Sequence, residues 1–169
     1  DEVLVYPWIG CGVCPACKIG NENLCDTPRS LGVFQNGGYA EYVLVPNFKY
    51  LIKVSGIDLE GVASLACSGL TAFTAVKKAN AKPEQFLVIV GAGGLGLMGI
   101  QIAKAITKST IVCVDLDDNK LAAAKKMGAD HTINSKGQDT VQKIISICNN
   151  KGAECIIDFV NTPPTVKTD

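Results

Sequence analysis

The chain has 169 residues, which is enough for one domain or for two small ones. Its 16 basic and 16 acidic residues cancel to a formal charge of zero, which argues against nucleic acid or a membrane surface as a partner held by a positive field. Hydrophobic residues make up 47% of the chain, so global disorder is excluded, and no apolar run approaches the roughly 20 residues of a membrane span.

The first 56 residues are rich in glycine, proline and asparagine and carry short runs of β-forming residues. These runs are residues 3–6, 39–45 and 50–54, with turn residues such as Asn-Gly-Gly between them. From 57 to 79 the pattern becomes helical, with small and apolar residues interleaved. We therefore expect three short strands followed by one continuous helix.

Four of the eight cysteines lie in one short segment, at Cys11, Cys14, Cys17 and Cys25. Zn²⁺ prefers four soft ligands in a tetrahedron, and these short spacings let one turn supply several thiolates. Four thiolates leave no open position for water or substrate, so the predicted zinc site is structural. Zinc binding contributes on the order of 10–16 kcal/mol of folding free energy in small zinc peptides, and it would hold a loop with little apolar material.

Two alternatives compete with a structural zinc site. Two disulfides, or unligated cysteines, fit a secreted protein, but no signal peptide is expected at the start of this sequence. A zinc ribbon for nucleic acid usually has wider pair spacing and more basic residues than Lys18 and Arg29. Four cysteines are clustered and the other four are scattered through apolar segments, which favours a metal site in a reducing compartment. We therefore expect the protein to be cytoplasmic. The scattered cysteines are Cys67, Cys113, Cys148 and Cys155.

After Pro83 the chain alternates between apolar strands and helices. Strands that are apolar on both faces and separated by helices indicate a parallel sheet covered on both sides, as in half of a doubly wound fold. Asp117 or Asp118 can cap the middle helix, and Gly128 stands where a C-terminal glycine belongs. The predicted strands are 86–90, 110–114, 131–133 and 154–159, and the predicted helices are 95–107, 117–127 and 139–149.

A glycine-rich turn, Gly91-Ala92-Gly93-Gly94-Leu95-Gly96, follows the first of these strands and opens a helix. Gly91 permits the tight turn, Gly93 lets the backbone approach a pyrophosphate, and Gly96 lets helix and strand pack closely. The free N–H groups of the helix then face the phosphates. Together these features predict a dinucleotide site.

Asp115 ends the second strand, 19 positions after Gly96. A carboxylate there can accept hydrogen bonds from both adenosine ribose hydroxyls and would repel a 2′-phosphate, so NAD is favoured over NADP. Two alternatives stay open at this point. One is a surface turn in which Asp115 only begins a helix cap, and the other is an S-adenosylmethionine site of a methyltransferase.

The chain resembles the zinc-containing medium-chain alcohol dehydrogenases, and it is most similar to microbial and archaeal members. Four motifs carry the resemblance in order and spacing: the cysteine segment, Gly37-Gly38-Tyr39-Ala40-Glu41-Tyr42, Cys67-Ser68-Gly69-Leu70-Thr71 and the glycine-rich turn. The implied fold is α/β. Residues 1–80 would be part of a GroES-like β-rich catalytic domain with a structural zinc lobe, and residues 81–169 the first half of a Rossmann sheet.

The resemblance also implies roles for individual residues. Cys67 matches a ligand of a separate catalytic zinc, Thr71 a contact of the nicotinamide ring, and Leu95 the apolar residue behind that ring. Asp115 and Lys120 match contacts to the adenosine ribose, whereas the cysteine segment matches the structural zinc ligands. From composition alone, Cys67 would be a buried small hydrophobe.

One departure from the family is large, because the other two ligands of its catalytic zinc have no match here. The only histidine, His131, falls on a predicted Rossmann strand and is expected to be a surface or strand-end residue. One thiolate cannot hold a catalytic zinc with three protein ligands. We therefore interpret the chain as the central part of a family member, and we expect it to be inactive alone.

The implied function is hydride transfer between a small alcohol or aldehyde and NAD, in an enzyme with structural and catalytic zinc. We expect the complete enzyme to be a homo-oligomer, a dimer or tetramer. Polyol, formaldehyde and quinone reductases of the same superfamily are alternatives, although quinone reductases generally lack the four-cysteine loop. A non-catalytic protein that binds zinc and NAD is an alternative of another class.

Overall fold

The computed structural model describes residues 1–137 and 139–166. The chain divides into two compact units, Asp1–Ala66 and Cys67–Asp169. The sequence predicted a domain boundary after residue 80, whereas the helix that precedes residue 80 packs within the second unit. The assignment of residues 1–80 and 81–169 to two family domains stays a prediction.

The first unit contains a two-stranded antiparallel sheet and several short helical turns. Val3 lies opposite Lys53 in the sheet. Asn47 starts the second 3₁₀ turn by accepting a hydrogen bond from the N–H of Lys49. The elements of this unit are β1 (Val3–Val5), α1 (Pro15–Lys18), the 3₁₀ turns Glu22–Leu24 and Phe48–Tyr50, β2 (Leu51–Lys53) and α2 (Leu59–Val62).

The prediction of a strand at 39–45 is wrong. A run of β-forming residues becomes a strand only when its N–H and C=O groups pair with a neighbouring strand. The structure pairs no strand with this run, and the side chains of Tyr39, Tyr42 and Leu44 are almost fully exposed. Local composition therefore overestimated the regular structure here.

The single helix predicted over 57–79 is interrupted. The structure has α2, then a π-helical turn at Leu65–Gly69, then α3 (Leu70–Ala79). Helices in proteins are held mainly by packing of an apolar face. Between 57 and 69 few side chains are buried, so no such face holds the segment in one continuous helix.

The second unit is a four-stranded parallel sheet with helices on both faces, as predicted. The strand order is β5-β4-β3-β6. Val88 of β3 pairs with Val112 of β4 on one side and with Ile156 of β6 on the other. The further elements are β3 (Phe86–Val90), α4 (Gly94–Ile106), β4 (Thr110–Asp115), α5 (Asp118–Lys126), β5 (His131–Asn134), α6 (Thr140–Ile147), β6 (Cys155–Asp158) and α7 (Pro163–Val166).

The core of this unit has two layers because successive strand residues point to opposite faces. Leu87 and Ile89 are fully buried on one face, in a cluster that includes Ile100 of α4. Val88 and Val90 lie in a second cluster with Ile144 of α6. Both faces are thereby covered, which explains why β3 is apolar at every position.

The strand order reverses beside β3. The chain moves from β3 to β4 and β5 in one direction, then returns to place β6 on the other side of β3. In open α/β sheets, ligands bind at such a switch point, outside the carboxyl ends of the strands. In the described part of the chain, no helix has the length and apolarity that crossing a membrane requires.

Candidate functional site

The four clustered cysteines converge in the first unit. Cys14 precedes α1, Cys17 lies within it, and Cys25 directly follows the 3₁₀ turn Glu22–Leu24. With Cys11, their sulfur atoms all lie within 4.8 Å of one another. The Sγ atoms of Cys11 and Cys17 are 4.0 Å apart, and those of Cys14 and Cys25 are 3.8 Å apart.

These distances fit one tetrahedral zinc ion. Zn–S bonds of about 2.3 Å place neighbouring sulfurs of a tetrahedron about 3.8 Å apart. A disulfide would need sulfurs about 2.05 Å apart, and all eight cysteines are free. The donor set and its spacing therefore suit a closed zinc site and not a pair of disulfides.

Backbone amides favour the thiolate form at two of the four sulfurs. The N–H of Cys11 donates to Cys25 Sγ over 3.2 Å, and the N–H of Cys14 donates to Cys11 Sγ over 3.4 Å. The N–H groups of Val13 and Cys14 lower the pKa of the Cys11 thiol to about 6. The pKa of Cys25 is also lowered, first by the Cys11 N–H, whereas burial raises the pKa of Cys17 to about 12. A bound metal cation would favour the thiolate form of Cys17 as well, because a thiol that coordinates a metal ion is deprotonated.

Gly10 is confined beside this cluster, which leads to a testable expectation. A Cβ atom at Gly10 would lie 2.4 Å from Cys17 Sγ and 3.1 Å from Glu22 Cβ. We expect Gly10→Ala to displace the Cys17 sulfur and to weaken zinc affinity about tenfold or more, in the range seen when groups next to metal ligands are altered. Competition with a chromogenic chelator measures the affinity.

Gly38→Ala is the matched control, because a Cβ atom there meets no atom within 4 Å. It should bind zinc with the affinity of the unchanged chain. Equal zinc affinities for Gly10→Ala and Gly38→Ala would contradict the close approach of Gly10 to the Cys17 sulfur.

Sequence reasoning missed Glu22, whose carboxylate lies beside the cysteine cluster. Its Oε2 atom accepts hydrogen bonds from the N–H of Gly10 (3.0 Å) and from the hydroxyl of Tyr50 (2.6 Å). Its Oε1 atom accepts from Lys49 Nζ over 2.5 Å. Lys49, Tyr50 and the Gly10 amide, in that order, lower the pKa of Glu22 to about 2. Lys49 and Tyr50 are 27 and 28 residues away, so no local pattern indicated this network.

The glycine-rich turn lies at the carboxyl end of β3, where the switch point leads us to expect a ligand. Gly91 has φ +92°, a left-handed conformation that favours glycine. A Cβ atom at Gly96 would lie 1.7 Å from the carbonyl oxygen of Gly91, so only glycine fits there. At Gly93 and Gly94 a Cβ atom would meet nothing within 4 Å. The protein's own packing therefore explains Gly91 and Gly96, while Gly93 and Gly94 leave open space at the start of α4.

Asp115 ends β4 and contacts the glycine-rich turn. Its Oδ2 atom accepts from the N–H of Ala92 over 2.7 Å, and its Oδ1 atom accepts from the N–H of Asp117 over 2.9 Å. Partial burial raises the pKa of Asp115, but these amides and the charge of Lys120 outweigh it, so the pKa is lowered. Asp115 is therefore held ionised, which is the form that accepts hydrogen bonds.

A cavity of about 840 Å³ lies at this edge of the sheet. It is lined by Gly91, Asp115 and Lys120, together with residues of the segments that follow β5 and β6. Its volume is within the range of roughly 300–1,000 Å³ that is usual for small-ligand sites. The Asp115 carboxylate and Gly91, the first residue of the glycine-rich turn, thus border one space of suitable size.

Asp158 is a second residue that the sequence analysis missed. Its Oδ1 atom accepts from the N–H groups of Val160 and Asn161, at 2.7 and 2.9 Å, and its Oδ2 atom accepts from the hydroxyl of Thr165 at 2.6 Å. Val160 and Thr165 line the cavity. Asp158 therefore shapes one wall of the cavity, and only its position at the end of a parallel strand could have indicated this.

The remaining predicted residues lie outside these two sites or at their edges. Cys67 is exposed in the π-helical turn, which contradicts the alternative that it is a buried hydrophobe. Thr71 is exposed near the start of α3, and Leu95 is half-buried in the first turn of α4. His131 is exposed at the first residue of β5, as expected of a strand-end residue.

A catalytic zinc does not fit the described residues alone. Across residues 1–137 and 139–166, the four-cysteine cluster is the only group of three or more cysteine, histidine or carboxylate side chains that could share an ion. Cys67 lies outside it. Its role as a catalytic zinc ligand stays a prediction.

Two family models match the chain. The model described as alcohol dehydrogenase GroES-like domain matches residues 1–56, and the model described as zinc-binding dehydrogenase matches residues 94–169. An NAD-dependent alcohol dehydrogenase of Sulfurisphaera tokodaii is 50% identical over 167 residues, which are 98% of this chain and 48% of that protein. The chain therefore spans about half the length of the curated relatives it matches.

Two solved dehydrogenase structures each match 99% of this chain. An alcohol dehydrogenase of the archaeon Aeropyrum pernix is 33% identical with a TM-score of 0.90, and the match covers 50% of it. A D-arabinose dehydrogenase of Sulfolobus solfataricus is 32% identical, also with a TM-score of 0.90, and the match covers 53% of it.

Proposed function

This chain belongs to the zinc-containing medium-chain alcohol dehydrogenases, and we propose that the protein it forms transfers a hydride between an alcohol and NAD. The chain would supply the structural zinc lobe, with Cys11, Cys14, Cys17 and Cys25 as ligands, and the adenosine half of the NAD site. The observation that carries the proposal is the ionised Asp115, bonded to the glycine-rich turn at the edge of the 840 Å³ cavity.

When bound, NAD supplies the carbon that accepts the hydride from the alcohol. The chain's own residues bind and orient it. Asp115 uses one lone pair of each oxygen for a backbone N–H, so lone pairs remain to accept hydrogen bonds from two ribose hydroxyls. Lys120 borders the same cavity and is proposed to contact the ribose.

The start of α4 is proposed to hold the pyrophosphate. Gly93 and Gly94 leave open space there, and the first N–H groups of a helix carry partial positive charge that suits an anion. Thr71 and Leu95 are proposed, by family resemblance, to contact the nicotinamide ring. Cys67 is proposed as one ligand of a catalytic zinc whose other ligands are not among the described residues.

The charge of Asp115 is proposed to exclude NADP. A 2′-phosphate charge about 4 Å from the carboxylate would be repelled by about 4 kcal/mol at an effective dielectric of 20, before counterions and water reduce it. The lowered pKa of Asp115 keeps this repulsion present at neutral pH, because the carboxylate is protonated only at a pH below the usual pKa of an aspartate.

Substitution of Asp115 tests the proposal. We expect the unchanged chain to bind NADH at least tenfold more tightly than NADPH, and Asp115→Ser to remove this preference because it removes the repelling charge. Calorimetric or fluorescence titration measures both affinities. Asp1→Ser, the same change at an exposed residue of the first unit, is the control.

Two results would contradict the proposal. One is an unchanged ratio of the NADH and NADPH affinities in Asp115→Ser. The other is thermal stabilisation of the chain by S-adenosylmethionine and not by NAD, which would favour the methyltransferase alternative.

A sugar or polyol substrate is a second candidate. The structure of a D-arabinose dehydrogenase matches this chain as closely as that of an alcohol dehydrogenase, with a TM-score of 0.90 for each. The NAD site would be the same for either substrate. Comparison of simple alcohols with sugars as substrates of the full-length protein separates the two.

We also propose that the protein works in the cytoplasm as a homo-oligomer, a dimer or tetramer. The location is supported by eight free cysteines, which suit a reducing compartment. The oligomeric state is supported by family resemblance alone, and light scattering of the full-length protein tests it.

A further inference from the structure

Glu22 is a charged side chain that lies beside the cysteine cluster without being one of its candidate ligands. Its side chain is only 15% exposed, although it carries a negative charge. Three donors satisfy it: the Gly10 N–H, the Tyr50 hydroxyl and the Lys49 ammonium. A charged group is held this far from water only when it is paired and hydrogen-bonded, and here both oxygens are.

These bonds join the two ends of the metal-binding segment. Gly10 directly precedes Cys11, so the carboxylate holds the peptide that leads into the first candidate ligand. The backbone carbonyl of Glu22 accepts a hydrogen bond from the N–H of Cys25 over 3.1 Å. One residue therefore fixes the approach to the first cysteine with its side chain and the last cysteine with its main chain.

The same carboxylate anchors this segment to the small sheet. Tyr50 is buried, directly precedes β2, and stacks on Tyr6 with ring centroids 6.5 Å apart. The N–H of Tyr6 donates to the carbonyl of Tyr50 over 2.8 Å, just beyond β1. Glu22 thus connects the cysteine segment to the one element of regular sheet in the first unit.

We propose that Glu22 is a positioning residue that holds the Cys11 and Cys25 ends of the segment at zinc-binding distance and thereby slows zinc release. The proposal rests on the proposed zinc site. Outer groups that orient metal ligands typically change metal affinity by 10–100-fold when they are removed. The Lys49 side chain is half-exposed, so water screens its ion pair with Glu22, and the hydrogen bonds to Gly10 and Tyr50 carry the effect.

Zinc release to an excess of chelator tests the role. We expect E22A to release zinc at least tenfold faster than the unchanged chain. In E22Q the amide oxygen still accepts hydrogen bonds from the Gly10 N–H and the Tyr50 hydroxyl. The rate of zinc release should therefore stay within about threefold of that of the unchanged chain, so this conservative substitution preserves the function. E41A, which truncates an exposed glutamate of the same unit, is the matched control.

Cobalt(II) in place of zinc gives a second readout that a purely structural role would not change. Its d–d bands report tetrahedral thiolate geometry, and we expect E22A to lower their intensity while E22Q and E41A leave it unchanged. If E22A does not load metal, E22D takes its place. The aspartate side chain is one methylene shorter, so its carboxylate does not reach the Gly10 N–H. We expect E22D to load cobalt and to release it about tenfold faster than the unchanged chain.

If E22A releases zinc at a rate within twofold of the unchanged chain, the role of Glu22 is overturned while the zinc site stays intact. Where E22D replaces E22A, the same criterion applies to the release of cobalt. Absence of zinc from the freshly prepared, reduced, unchanged chain overturns both the zinc site and the role of Glu22. The proposed NADH site lies in the second unit, so NADH affinity should be the same in all variants.

Discussion

Removal of the metal from the four-cysteine cluster is expected to unfold the first unit, Asp1–Ala66, and to leave the sheet of the second unit folded. The first unit has five buried apolar side chains: Ile9, Cys25, Tyr50, Val54 and Val62. Both core clusters lie in the second unit. Zinc binding contributes on the order of 10–16 kcal/mol of folding free energy in small zinc peptides, and a unit with so few buried side chains has little other packing to hold its loops.

Hydrogen exchange measured by mass spectrometry separates the two units. Chelation, or Cys14→Ser, should abolish protection of amides in residues 1–66 and leave that of β3 and β4 unchanged. Cys67→Ser is the matched substitution, because Cys67 is exposed and lies outside the cluster. It should keep one zinc per chain. Retained protection of residues 1–66 after zinc loss would show that the metal is not what holds this unit.

Gly96→Ala is expected to destabilise the second unit strongly and to abolish NAD binding. Its Cβ atom would lie 1.7 Å from the carbonyl oxygen of Gly91 and 2.8 Å from the carbonyl carbon. Both are backbone atoms, so no side-chain rotation relieves the overlap and α4 must move away from β3. Overpacking typically costs about 1–3 kcal/mol, and a backbone overlap this close should lower the free energy of unfolding by about 3 kcal/mol or more.

Gly94→Ala, in the same turn, is the matched control for the fold. A Cβ atom there meets no protein atom within 4 Å, so the free energy of unfolding should stay within about 1 kcal/mol of that of the unchanged chain. If the pyrophosphate is held at this turn, Gly94→Ala should still weaken NADH binding. Urea denaturation and NADH titration measure the two effects. Equal unfolding free energies for the two variants would contradict the close packing at Gly96.

The strand and helix predictions held where periodicity and packing agree. Residues 86–90 are apolar at every position, and β3 has helices on both faces, so the pattern and the environment require the same structure. Asp117 caps α5 by accepting from the N–H groups of Asn119 and Lys120, and Gly128 with φ +112° follows its end, as the local signals predicted. The predictions failed at 39–45 and at 57–69, where few side chains are buried and no neighbour selects the pattern.

The family resemblance and the α/β fold class are confirmed by comparison with known proteins. The four converging sulfurs fit the predicted zinc, and NAD agrees with the description of the similar alcohol dehydrogenase. Spacing alone was sufficient to predict that Cys11, Cys14, Cys17 and Cys25 converge, because four cysteines within 15 residues can meet in one turn. Their role as zinc ligands stays a prediction. The roles assigned to Cys67, Thr71, Leu95 and Lys120 rest on resemblance and stay predictions.

Local sequence patterns were enough to identify the segments of the parallel sheet, the point where the glycine-rich turn opens a helix, and the cysteines that lie close together, because each depends on neighbours within a few residues. Three contacts became visible in the packed fold: the Asp115 carboxylate accepts from the amide of Ala92, Gly10 approaches the sulfur of Cys17, and Glu22 joins the cysteine segment to Tyr50. These contacts connect residues up to 28 positions apart. Their geometry is set by how the strands and loops pack, which no short window of sequence contains.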